Sequence, residues 1–250
     1  MSGGNATTAT STIAMARVML YQPSQRPLLR KGDWLETSFG RCRVTGRLGQ
    51  RHADVMDAIL YCAERQRAVD DGGIELLVDP ARLRKTLSES RYSLAQLEKL
   101  LVELRSATIT IETPQFEFPI IGGLIDHVIP SEKTRPNPLT GGERRLWKVR
   151  LGVALVMLLQ HDLHLYYNPA PIARLKHGIS QAVARHVFSH KVAPLGGWYM
   201  DTLIVAVSGK IPSQAMRDAR RWLRKETDAL RKIGLVLDHN RIKRNSSGTP

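Results

Sequence analysis

SQAMRDARRWLRKETDALRKIGLVLDHNRIKR, residues 213–244, is the stretch on which the reading of this chain turns. It holds no proline, and no glycine before Gly234. Met216, Ala219, Leu223, Leu230 and Ile233, with Trp222 alongside, recur at helical steps, which gathers them into one buried stripe of a helix. Ser213 as N-cap and Gly234 just past the C-terminus bound that helix. The opposite side carries Arg217, Arg221, Arg224 and Arg231, and Arg217, Arg221 and Arg224 share a face with no carboxylate expected at an adjoining turn before Asp228. An apolar strand, Leu235 to Leu237, follows at once, then a turn at Asp238 to Asn240 and the alternating run Arg241, Ile242, Lys243, Arg244. A basic amphipathic helix leading into a basic hairpin is the pattern of a recognition helix for the major groove with a wing that touches the neighbouring backbone.

The charge distribution supports a dedicated basic face. Across 250 residues the chain carries 37 Lys and Arg against 23 Asp and Glu, a formal +14. Residues 210–250 hold eleven basic and four acidic residues, so half of the excess lies in the last sixth of the chain. Such an excess speaks of polyanionic partners rather than of fold. Two cysteines, Cys42 and Cys62, are too few for a disulfide framework, and a reducing cytoplasm is the default. The longest central apolar run, Val153 to Leu159, falls far short of the ~20 residues of a membrane-spanning helix. The first residues, MSGGNATTATST, have neither a basic nor a hydrophobic signal region, and residues 1–32 read as a flexible leader.

Outward from the C-terminal unit, the order of elements recurs. In the first half, HADVMDAILYCAERQ is helical, Ile74 to Val78 is a strand, and Asp79-Pro80 opens the short helix ARLRKTL. Ser93 starts a helix with Leu94, Leu97, Leu101 and Leu104 on its apolar side, and Ala107 to Thr113 with Phe116 to Ile121 make a hairpin. In the second half, Ile179 to Lys191 is a helix, Trp198 to Met200 a strand and Asp201 to Val207 a helix, ahead of the basic helix and hairpin. Helix, strand, helix, helix, hairpin is the winged-helix order. The expected fold class is α+β with two tandem winged-helix domains: 33–150, with an exposed loop at 131–145, and 151–250, the basic one.

Over residues 33–244 the chain resembles the plasmid replication initiators of the RepA and TrfA kind. The resemblance rests on DWLETSF and RCRVTG leading into HADVMDAILYCA, on SLAQLEKLLVELRSATITIE, on VALVMLLQHDLHLYY before ISQAVARHVFSHK, and on ARRWLRKETDALRKIGLVLDHNRIKR. It implies two winged-helix domains, sequence-specific binding of double-stranded DNA at iteron repeats of an origin, and the C-terminal helix as main reader. It also implies host replication initiator and helicase proteins as partners, and a monomer-to-dimer switch involving the first domain. The first-domain helix departs from this pattern, since Gln96, Lys99 and Arg105 are balanced by Glu98 and Glu103. A dimeric winged-helix transcriptional regulator is the alternative, and a DNA nickase or primase a third reading.

No catalytic residue, metal or cofactor is expected. Gly209-Lys210 is followed by Ile211, so no phosphate-loop motif is present to bind ATP and Mg²⁺. In HDLHLYY, His161 and His164 are three apart and face opposite sides of a strand, which does not make a nickase site. His186 and His190, at i and i+4, are the one credible ligand pair and lack a third ligand nearby in sequence. The expected DNA-contacting set is Ser213, Gln214, Arg217, Arg220, Arg221, Arg224 and Lys225 on the last helix and Arg241, Lys243 and Arg244 on the hairpin. Arg91, Ser93, Gln96 and Lys99 in the first half complete it. Ser213, Gln214, Arg217 and Arg221, at the start of the helix, are the base readers, and Arg244 grips phosphate.

Overall fold

Asp79 and Ser93, the two helix caps read in the first half, both act as caps. The Asp79 carboxylate accepts from the Ala81 amide at 2.9 Å, and Ser93 Oγ accepts from the Gln96 amide at 3.2 Å while Gln96 Oε1 accepts from the Ser93 amide at 3.0 Å. The computed structural model describes residues 9–88, 90–137 and 141–245. In chain order the first half comprises β1 (Ser11–Thr12), α1 (Ile13–Arg17), β2 (Arg30–Thr37), β3 (Gly40–Gly46), α2 (Gln50–Cys62), β4 (Ala63–Ala68) and β5 (Ile74–Val78). It continues with α3 (Pro80–Leu87), α4 (Leu94–Ser106), β6 (Thr108–Glu112), β7 (Ile120–Gly122), β8 (Ile125–Pro136), β9 (Glu143–Leu151) and α5 (Val153–His161). The second half holds β10 (His164–Leu165), α6 (Ala170–Ala173), α7 (Gly178–Phe188), β11 (Trp198–Tyr199), α8 (Met200–Ser208), α9 (Ser213–Lys225), α10 (Thr227–Lys232), β12 (Leu235–Asp238) and β13 (Arg241–Arg244).

The architecture is mixed α+β with several small antiparallel sheets. Two four-stranded sheets, β2-β3-β6-β7 and β4-β5-β9-β8, enclose the first core with α2, α4 and α5, and a three-stranded sheet, β11-β13-β12, closes the second against α7, α8 and α9. Met56, Ile59, Leu97, Leu104, Ile109 and Leu155 lie in the first core, and Val183, Leu203, Ile204, Leu223, Leu230 and Ile242 in the second.

Several expectations are corrected. The leader assigned to 1–32 is packed from residue 9 onward: Ala14, Val18 and Leu20 are fully buried, β1 pairs with β10, and Arg17 donates to the Ser189 hydroxyl and carbonyl at 2.8 and 2.7 Å. Residues 1–8 lie outside the described residues. The boundary at 150/151 falls too early, because Ala154, Leu155 and Leu158 of α5 belong to the first core. Most of the loop assigned to 131–145 is strand, since β8 and β9 pair out to Pro136 and Glu143, and only 138–140 fall outside the description. The helix expected to run on through Gln66 ends at Cys62, where β4 takes Ala63 to Ala68 as an edge strand against β5. On α4, Leu94 is 54% exposed and Leu100 is buried instead, so the stripe is Leu97, Leu100, Leu101 and Leu104.

The long C-terminal helix is two helices. Glu226, buried, leaves helical geometry because its carboxylate accepts from the backbone amides of Lys176 and His177, at 2.5 and 3.1 Å, capping the approach to α7. Ser213 is the first helical residue rather than the N-cap, a position held by Pro212.

A buried polar seam joins the halves. Arg185 of α7, 5% exposed, donates to Asp54 Oδ1 at 2.7 Å, Asp57 Oδ2 at 2.9 Å and Gln50 Oε1 at 2.8 Å, all on α2. The Tyr92 and Tyr167 hydroxyls donate to Asp54 and Asp57 at 2.6 and 2.8 Å, and Gln181 donates to Asp54 at 2.9 Å. Burial pushes the Asp57 carboxyl up despite the guanidinium beside it. Burial also disfavours the Arg185 charge, but Asp57 and Asp54 together outweigh it and hold its pKa well above the usual value. The loop 22–27 is wedged into the same junction between two glycines. A Cβ on Gly49 would come within 2.5 Å of the Ser24 carbonyl oxygen, and one on Gly178 within 2.7 Å of Ser24 Cα, so neither position admits a side chain without displacement.

Candidate nucleic-acid interface

α9 buries Ala219 and Leu223 and packs Met216 and Trp222 partly against the second core, which leaves its arginine side to solvent. Ser213, Gln214, Arg217, Arg221, Arg224 and Lys225 are exposed. On the first two turns Gln214 Oε1 accepts from Arg217 at 2.6 Å, and Gln214 Nε2 donates to Asp218 at 3.2 Å. Asp218 pairs with Arg221 at 2.9 Å, which corrects the expectation of a carboxylate-free face, because a residue three positions back is a neighbour on a helix. Gln214, Arg217, Asp218 and Arg221 thus form one connected polar strip that orders the ends of these side chains.

Arg220 points away from that strip and makes two 2.6 Å bonds to Asp201 at the start of α8, which holds the Asp201 carboxyl below its usual range. Arg224 donates to Asn240 at 3.1 Å, tying the end of α9 to the β12–β13 turn. Asp238 pairs with Arg241 in the strand register, so that turn has only two residues, and His239 adopts a left-handed φ of 51°. Lys225 and Arg221 lie over the Trp222 ring at 4.7 and 4.8 Å, and His177 stacks on the ring at 4.2 Å.

The basic residues of the hairpin are engaged within the protein. Arg241 lies 3.9 Å over the Tyr199 ring and donates to its hydroxyl at 2.5 Å. Lys243 pairs with Asp238 at 2.6 Å and, with His239, draws that carboxyl down to about 2. Arg244 donates to the carbonyls of His190 and Lys191 at 2.6 and 2.9 Å, closing the chain that leaves α7. Arg244, expected to grip phosphate, thus also braces the hairpin against the end of α7 through two of its five donors.

In the first half, Arg91 bridges the halves by donating to the carbonyls of Ala173 and Leu175 at 2.7 and 3.0 Å, and Ser93 and Gln96 spend side-chain bonds on their capping box. Lys99 is exposed and stands with Gln96 at a recess that also gathers Arg26, Arg47 and Arg51 from sequence-distant segments, three residues the sequence reading had not placed in any site. His186 and His190 lie with Nε2 atoms 3.3 Å apart, and burial, with further depression by Arg17, pushes both down to about 4. Among the described residues no group of three or more His, Cys, Asp or Glu is placed to hold a metal ion, and no helix is long and apolar enough to cross a membrane.

No protein-family model and no curated protein matches the chain. Among solved structures it is similar to the crystal structure of domains 2 and 3 of RctB, with a TM-score of 0.56 and 11% identity. That alignment covers 94% of this chain and 96% of the other, so the similarity is one of fold and spans both halves of the chain.

Proposed function

We propose that this chain is a DNA-binding replication initiator, without catalysis of its own, that reads double-stranded origin DNA with the start of α9. The observation that carries this reading is the polar strip Gln214–Arg217–Asp218–Arg221 on an exposed helix whose far end is tied by Arg224 to a two-residue β-turn. Gln and Arg are the side chains that pair with adenine and guanine through two hydrogen bonds, and the first turns of such a helix are those that reach base edges. The α7–β11–α8–α9 order with the β12–β13 hairpin fits a winged helix, and α2–β5–α3–α4 with β6–β7 fits a second one. RctB is itself a replication initiator, and fold similarity to two of its domains favours the same class of role here.

Within that class, the tandem organisation fits iteron repeats of the RepA and TrfA kind, with host initiator and helicase proteins as partners in the cytoplasm and with self-association. The test is footprinting of the full chain on DNA flanking its gene. Protection of tandem direct repeats supports the reading. Protection of a single inverted repeat at a promoter makes the chain a transcriptional regulator, and absence of any sequence preference refutes base reading by α9.

A further inference from the structure

We propose that the recess between the loop 22–27, the start of α2 and the outer side of α4 is a separate anion site, shaped for a phosphate group. It measures about 380 Å³, and its wall carries Arg26, Arg47, Arg51 and Lys99. The side chains of Arg26, Arg47 and Lys99 make no hydrogen bond or ion pair among the described residues. Arg51 uses Nη2 on the Arg91 carbonyl at 3.1 Å and lies 5.3 Å over the Tyr92 ring, while its Nε is buried with no partner. A buried, unpaired guanidinium donor is a costly thing to leave in a folded protein.

The one carboxylate in the wall, Glu103, is held by His52 at 2.8 Å. Burial lowers the His52 pKa, so the ring adds no charge, and four cations face one anion. This is the reverse of the C-terminal unit, where Arg220, Arg221, Arg241, Lys243 and Arg244 all have partners.

Four like charges drawn from three separate segments repel one another unless an anion sits among them. A phosphate group fits, since it offers several acceptor oxygens in different directions, and guanidinium groups grip it through paired donors. The start of α2 adds the positive end of a 13-residue helix. The wall is also set in advance, because the contact of Gly49 with Ser24 and Pro27 holds the Arg26 loop against α2. The site does not depend on how α9 is read; where the phosphate belongs to DNA, it gives the first half a grip on the same duplex.

The decisive variant is Arg47→Gln/Lys99→Gln, both exposed positions, in the full chain, with the exposed Arg67→Gln on β4 as a control for general charge. Two arms separate the sources of phosphate. In the first, binding to a DNA duplex is followed against salt; a nucleic-acid phosphate predicts that the double variant flattens the slope of log K against log salt by about 1.8 and weakens cognate and scrambled duplexes by the same factor. In the second, pyrophosphate is titrated and thermal unfolding recorded; a free phosphorylated ligand predicts saturable stabilisation of the wild type that the double variant loses and Arg67→Gln keeps. Arg217→Ala should leave the pyrophosphate stabilisation and the scrambled-duplex affinity unchanged while weakening the cognate duplex, the opposite pattern to the double variant, which separates failure of this site from failure of base reading by α9. A double variant that matches Arg67→Gln in both arms overturns the proposal.

Discussion

Replacing Arg185 with methionine would remove the cation of the seam and leave Asp54 and Asp57 facing each other inside the protein. Removing one partner of a buried ion pair costs about 3–5 kcal/mol, because the remaining charge keeps its desolvation penalty and loses its compensation. At this chain length each kcal/mol moves the midpoint by roughly 2–4 °C, so the melting temperature should drop by about 6–20 °C. The loss should depend on pH. A carboxyl whose folded pKa is raised by burial contributes stability below its unfolded value near 3.9, and that contribution is lost as pH rises through the folded value. Asp57 is already raised with Arg185 present, and without the guanidinium it rises further. The variant should therefore fall short of the wild type most at pH 8 and least at pH 5. Adding Asp54→Asn and Asp57→Asn should restore most of the difference at pH 8. Urea unfolding at pH 5 and pH 8 measures all of this. A single variant within about 1 kcal/mol of wild type at pH 8, or a deficit that grows as pH falls, would show that the seam is not held by this charge balance.

Leu97→Asp places a charge in the first core and should destabilise the protein by several kcal/mol, read by loss of the cooperative melt; a stable variant would mean that α4 turns a different side inward. Arg217→Ala should weaken cognate DNA by roughly 5- to 150-fold, the ~1–3 kcal/mol of one bidentate base contact, and leave a scrambled duplex nearly unchanged; equal losses on both would refute base reading. Arg244→Ala should lower thermal stability by about 1 kcal/mol through its lost carbonyl bonds, with DNA affinity affected less than by Arg217→Ala, and the reverse ranking would make it a phosphate contact after all. His186 and His190 have folded pKa values depressed to about 4, so their contribution is full above the unfolded value near 6.5 and is lost as pH falls toward 4. Denaturation between pH 7 and pH 4 should therefore show an acid limb that His186→Gln/His190→Gln flattens, and an unchanged limb would locate it in other groups.

What could be read in the sequence was what is local. The caps Asp79 and Ser93, most of the α4 stripe (Leu97, Leu101 and Leu104), the burial of Ala219 and Leu223 on α9, and the hairpin that follows at the C-terminus each depend on residues a few positions apart, and all of these stand in the structure. What could not be read depends on partners far along the chain. The break at Glu226 exists because the amides of residues 176 and 177 need an acceptor, and nothing in KETDALRK announces that need. The stretch that read as a leader is packed because Val18 and Leu20 enter the first core while β1 pairs with a strand some 150 residues later. Arginines are visible in the sequence by number and spacing, whereas their partners are set by the fold. Arg220 and Arg244 therefore enter the DNA-contacting set without their partners Asp201 and the 190–191 carbonyls in view, and Arg26, Arg47 and Arg51 are passed over because they are unremarkable until three segments meet.

The seam between α2 and α7 also limits how this protein can exchange parts. A hybrid cut near residue 151 would take Asp54 and Asp57 from one parent and Arg185 from the other, and any mismatch would strand a charge in the interior. The basic helix and its hairpin, residues 213–244, lie outside that charge set: they meet the remainder of the chain through the second core, the β11–β13 pairing, the Glu226 cap, the Arg244 brace, the Arg220–Asp201 pair and the Arg241–Tyr199 contact, all within the second half. On the function proposed above, the DNA reader is therefore the modular part of the molecule and the pairing of its halves is not: a transplanted reader should fold on this scaffold where Asp201, Tyr199 and the 190–191 carbonyls stay in place, whereas a transplanted half should not.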